Sequence, residues 1–103
     1  MTRLKLYVTG RTVSAERARQ ALRDLERRLN TPGREVAVCS EVIDVLDAPD
    51  EAARDQIFAT PTLVRVYPGP AVRLFGDLSS VDKVIAALKL DTAPRTSRFA
   101  QTA

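Results

Sequence analysis

Apolar side chains fall at 4, 6 and 8 in Arg3-Leu4-Lys5-Leu6-Tyr7-Val8, the period of two that predicts a strand with one buried face. Gly10 ends it. Ala18, Leu22, Leu25 and Leu29 then recur at spacings of four, three and four, which stack on one face of a helix running to about residue 29. Ser14 is the expected cap. Glu16 near the start and Arg27 and Arg28 near the end suit the helix dipole, and Asn30-Thr31-Pro32-Gly33 supplies the stop. In residues 36–46 both alternating sets are mostly apolar: Val38, Val42 and Leu46 on one side, Ala37, Cys39, Ile43 and Val45 on the other. That pattern predicts a central parallel strand.

Asp47-Ala48-Pro49-Asp50 reads as a cap with proline in the first turn of a short helix ending near Asp55. Residues 62–67 and 71–75 are two short strands, and Pro68-Gly69-Pro70 between them is too tight for anything but an antiparallel hairpin. Ser79, with Asp82 three residues on, predicts a capping box for a last helix whose apolar seam is Val81, Val84, Ile85 and Leu88. Beyond Leu90 the chain carries one large apolar residue, Phe99, among Thr, Ser, Pro, Arg and Gln, so residues 91–103 are expected to form a disordered tail to a single domain, residues 1–90. The order strand-helix-strand-helix-strand-strand-helix predicts an α/β, thioredoxin-like βαβαββα domain with a mixed four-stranded sheet.

Composition narrows the chemistry. One cysteine and no histidine in 103 residues leave no internal disulfide, no ordinary zinc site and no Cys-His pair. No apolar run approaches the roughly 20 residues that cross a bilayer. Residues 1–10 resemble a strand more than a signal peptide, so a cytoplasmic protein without membrane contact is expected. Net charge is +3, and 14 basic and 12 acidic residues remain once 91–103 are set aside. So small and scattered an excess argues against nucleic acid. The region where redox thioredoxins carry two cysteines reads Arg11-Thr12-Val13-Ser14-Ala15-Glu16, Cys39 is expected to be an inert core thiol, and Asp44 and Asp77 have no spacing that pairs them for acid-base work. No catalytic, metal-binding or cofactor-binding residue is expected, and the chain is not read as an enzyme.

Four segments together resemble the KaiB family: Leu4-Lys5-Leu6-Tyr7-Val8-Thr9-Gly10, Val42-Ile43-Asp44-Val45-Leu46, Ala59-Thr60-Pro61-Thr62-Leu63 and Gly76-Asp77-Leu78-Ser79. The resemblance implies a two-state protein. One form is thioredoxin-like and docks on the first ATPase ring of a KaiC hexamer, recruiting KaiA and displacing the sensor kinase SasA; the other, typically a tetramer, rearranges the second half of the chain. Relatives commonly have glycine at the position of Ala87 and aspartate at that of Lys89. Alanine gains about 0.8–1 kcal/mol over glycine inside a helix, and a cation in place of an anion in the last turn gains about 0.3–1 kcal/mol. Together these shift a two-state population roughly five- to thirty-fold, so the thioredoxin-like form is expected to dominate, as a monomer, with the tetramer left to the alternative form.

The same resemblance implies that Arg17, Arg65 and Arg73 engage an acidic surface of a KaiC-type ATPase. Tyr7 is either a core ring or part of that docking surface, and its place opposite Leu6 and Val8 favours exposure. Glu41, Val72 and Gln56 stand where relatives carry basic residues, which argues against recruitment of a KaiA-like partner. A cis bond before Pro61 is implied as a switch element or a fixed turn, and a sequence biased to one fold favours the turn. Gly76, Asp77, Ala87 and Lys89 complete the residues expected to govern the fold, with Asp77 closing the hairpin and Asp44 bonding near its strand's end. Two further readings stay open: a stand-alone sensory domain of the kind that precedes histidine kinases, and a divergent thiol oxidoreductase.

Overall fold

The structure, a computed structural model, describes residues 1–30 and 38–90. Four strands, β1 (Thr2–Val8), β2 (Val38–Asp44), β3 (Thr62–Tyr67) and β4 (Val72–Phe75), alternate with three helices, α1 (Val13–Leu29), α2 (Pro49–Arg54) and α3 (Val81–Leu88), in the expected order. The sheet runs β2-β1-β3-β4. β1 pairs parallel with β2, while β3 is antiparallel to both β1 and β4. The expected tail, residues 91–103, lies outside the described residues.

Each face of the sheet has its own core. Leu4, Leu6 and Val8 of β1 and Leu63 of β3 pack under Ala18, Leu22, Leu25 and Leu29 of α1 and Val84, Ile85 and Leu88 of α3, which is the seam the helical spacing predicts. On the opposite face Tyr7, Ile43 and Val64 pack against Ala52 of α2. That second layer corrects two expectations. Tyr7 is not exposed: α2 folds over the side of β1 that alternation assigns to solvent, and the ring is 0% accessible. β2 is not central, because β1 takes the place between β2 and β3 and leaves β2 at the edge. Cys39 and Val42 of this edge strand are therefore exposed, as is Leu46 beyond it, and only Ile43, on the α2 side, is buried. The thiol of Cys39 is a surface group, not a core one.

The helix caps sit a residue or two from where the sequence puts them. Thr12, not Ser14, caps α1, its side chain accepting from the amide of Ala15 at 3.0 Å. Ser80, not Ser79, caps α3, accepting from Lys83, so Asp82 stands in the first turn outside a capping box. Ala48 precedes α2 without a side-chain cap, and Pro49 opens the helix as expected. Lys89 is not in the last turn of α3. It occupies the left-handed position after the helix, with φ of 56°, and the bonds Lys89 N to Ala86 O and Leu90 N to Ile85 O close a Schellman motif. α2 ends the same way, with Gln56 at φ 60° and Ile57 N donating to Ala52 O.

Candidate partner-binding surface

The residues that end β1 and β2, begin β3 and end β4 lie together at one end of the sheet, as the pairings Val8 with Asp44, Tyr7 with Thr62 and Thr62 with Phe75 require. Here the connecting segments are tied by polar contacts. Asp44 Oδ1 accepts from the amides of Gly10 and Leu46, and these bonds hold its carboxyl below the usual carboxylate range. Thr9 and Thr60 share a hydroxyl hydrogen bond of 2.6 Å. The Thr60–Pro61 peptide is cis, as are Tyr67–Pro68 and Gly69–Pro70. Gly76, at φ 113°, turns the chain after β4 where a side chain would be strained. Asp77 then accepts from the amide of Ser79, a bond that lowers its carboxyl and sets up the entry to α3.

Large apolar side chains surround this end without being covered: Phe58 is 94% exposed, Val13 and Leu46 68%, and Phe75 61%. Val13, Arg17, Pro61, Phe75 and Asp77 line one open groove of about 940 Å³ between α1, the Pro61 turn and the approach to α3. Val13 and Phe58 carry no periodic signal, and Leu46 and Phe75 stand just past or at strand ends, where alternation marks a face without saying whether anything covers it. An isolated phenylalanine before a turn reads from sequence as readily as a core anchor.

The three arginines do not form one patch. Arg17 is exposed on α1 and borders the groove. Arg65 lies on the β3 face shared with Leu63 and Leu4, half-buried, with Nη1 donating to the carbonyl of Pro68 at 2.6 Å. Arg73 pairs opposite Val64 and so stands on the α2 face. Its Nε donates to the carbonyl of Asp55 at 2.7 Å. Ala87 is exposed within α3.

Beneath Arg73 is a cluster that sequence reasoning missed. Lys5 Nζ reaches Glu51 at 2.8 Å and Asp55 at 3.1 Å, and the Tyr7 hydroxyl donates to the same Asp55 oxygen. Burial and the Asp55 bond push the Tyr7 phenol up, while the Glu51 bond leads the rise at Lys5. Burial alone would raise Asp55; the Tyr7 hydroxyl and the Lys5 ammonium outweigh it and hold the carboxyl low. Partners some 50 positions apart leave no local signal. Among the described residues no three potential metal-ligating side chains gather, and no helix is long and apolar enough to cross a membrane.

A mixed four-stranded sheet with a cis-proline turn beside the start of α1, and no cysteine at that helix, defines a thioredoxin-like domain without the dithiol. Solved structures share this fold: the N-terminal domain of SasA from Synechococcus elongatus superposes with a TM-score of 0.69 at 19% identity, covering 93% of this chain and 87% of that one. Thioredoxin 1 of Thermosipho africanus gives 0.68 at 16% identity, covering 90% of this chain and 99% of that one. The chain belongs to the KaiB family, whose domain profile matches residues 5–90. It is 45% identical over 87 residues to a circadian clock oscillator protein KaiB of Prochlorococcus marinus strain MIT 9303, covering 84% of this chain and 70% of that protein. It is 43% identical over 88 residues to the KaiB of Thermosynechococcus vestitus, covering 84% and 77%. These relatives are named as clock proteins, not as enzymes.

Proposed function

We propose that this chain is a non-enzymatic adaptor that binds a KaiC-type hexameric ATPase through its thioredoxin-like form, in timing or stress signalling. The observation that supports this most directly is α3. Capped by Ser80 and closed by a Schellman motif, it lays Val84, Ile85 and Leu88 on the sheet. The second half of the chain is thereby in the form that the family resemblance assigns to partner docking. With both sheet faces covered by the chain's own helices, the exposed end carrying Phe58, Phe75, Val13 and Arg17 is free for another protein, and uncovered apolar groups beside a cation suit a docking surface. Recruitment of a KaiA-like protein is the weaker part of the reading: Glu41 is exposed on edge strand β2, an anion where relatives carry a contacting lysine.

Titration of fluorescently labelled protein with a KaiC-type hexamer, in ATP and in ADP, tests the proposal. Saturable, nucleotide-dependent binding that Arg17→Ala or Arg73→Ala weakens is expected. Absence of binding in either nucleotide, with association to a histidine kinase instead, would move the chain to the sensory-domain reading.

A further inference from the structure

Arg73 is held from behind. The carbonyl of Asp55 lies past the last turn of α2, where the helix has no amide left to donate to it, and Arg73 Nε fills that place at 2.7 Å. The carboxylate of the same residue is gripped from β1 by the Tyr7 hydroxyl and by Lys5 Nζ at 3.1 Å. Lys5 and Glu51, 2.8 Å apart, brace it further. One aspartate thus joins three elements: its side chain fastens to β1, its main chain begins the turn out of α2, and its carbonyl receives a guanidinium from edge strand β4. Tyr7 itself cannot shift, since its ring is fully buried among Ile43, Ala52 and Val64.

We propose that Tyr7 and Asp55 are positioning residues for Arg73: the Tyr7–Asp55 hydrogen bond fixes the Asp55 carbonyl, which fixes Nε. The two Nη groups are then the donors offered, in one orientation, to a carboxylate on a partner. An arginine already held loses less freedom on docking than one that rotates. The buried tyrosine therefore acts on the docking surface without touching the partner, which separates its role from a contact role. The consequence for binding rests on the reading that Arg73 docks; the positioning does not, and it can be measured in the protein alone.

The test is NMR of the Arg73 Nε–Hε group, with exposed Arg11 as the reference. In the wild type, Arg73 Nε–Hε is expected to exchange with water about tenfold more slowly than that of Arg11. Tyr7→Phe, which deletes only the hydroxyl, is expected to speed Arg73 exchange by about threefold or more while the amide spectrum of both cores is retained. Asp55→Asn is the second variant, read the same way if Tyr7→Phe does not fold. Unchanged Arg73 exchange in a folded variant overturns the proposal. With a KaiC-type hexamer, Tyr7→Phe is expected to weaken binding about threefold in the wild-type background and not in Arg73→Ala; an equal loss in both backgrounds overturns the coupling. Faster exchange, with affinity untouched by either Tyr7→Phe or Arg73→Ala, supports the positioning and removes Arg73 from the docking surface.

Discussion

Three aspartates hold turns together at single-residue scale, each by accepting hydrogen bonds that only its ionised form takes fully. Asp44 serves Gly10 and Leu46, Asp77 serves Ser79, and Asp55 serves Tyr7 and Lys5. All three carboxyls titrate below their ordinary value in the folded protein. Stability from such groups is present above the unfolded-state value, about pH 4, and is lost as pH falls through the lowered folded-state values. Melting followed by circular dichroism should therefore show a midpoint that drops steeply below about pH 4. In Asp55→Asn the midpoint is expected to be lower at neutral pH and its acid fall shallower. An acid limb identical in the two proteins would count against Asp55 as a holding group. Cys39 illustrates the opposite relation between residue type and setting: an apolar-leaning side chain stands on an edge strand with its thiol in solvent.

At the scale of elements, α3 is the least locally determined and the most consequential. Its eight residues are too few to be stable alone, so its helicity depends on Val84, Ile85 and Leu88 finding the sheet. Ala87, exposed within it, contributes propensity without packing, which makes Ala87→Gly a clean probe. The substitution is expected to cost the helical form about 0.8–1 kcal/mol, and hence to enrich any non-helical form of this segment about four- to fivefold. Backbone chemical shifts of residues 81–88 measure that change; shifts indistinguishable from wild type, with an unchanged melting midpoint, would remove Ala87 from the residues that set the fold. Lys89 acts differently from the sequence expectation. In the left-handed position after the helix it completes a stop instead of extending a turn, so its contribution is cap geometry together with charge. α1 and α3 were legible from apolar spacing, because their buried faces follow a period of 3.6 whatever lies opposite, and α2 from the proline in its first turn. Their caps were less so, since Thr12 and Ser14, or Ser79 and Ser80, offer the same hydroxyl a residue or two apart and only the chain's entry angle selects between them.

For the whole molecule, both sheet faces are closed by the chain's own helices: α1 and α3 on one side, α2 on the other. No second copy is needed to cover a core. Size-exclusion chromatography with light scattering is accordingly expected to find a monomer at micromolar concentration, and a stable tetramer would show that another arrangement of the second half prevails. The element order, the hairpin and the α1-facing core followed from sequence alone, because alternation and helical spacing are local records of which side of each element is apolar. The burial of Tyr7, the edge position of β2 and the meeting of Lys5, Glu51, Asp55 and Arg73 were decided only by tertiary structure. A strand's pattern states that a face can be buried; whether a second face is covered, and by whom, depends on where a six-residue helix some 50 positions away comes to rest.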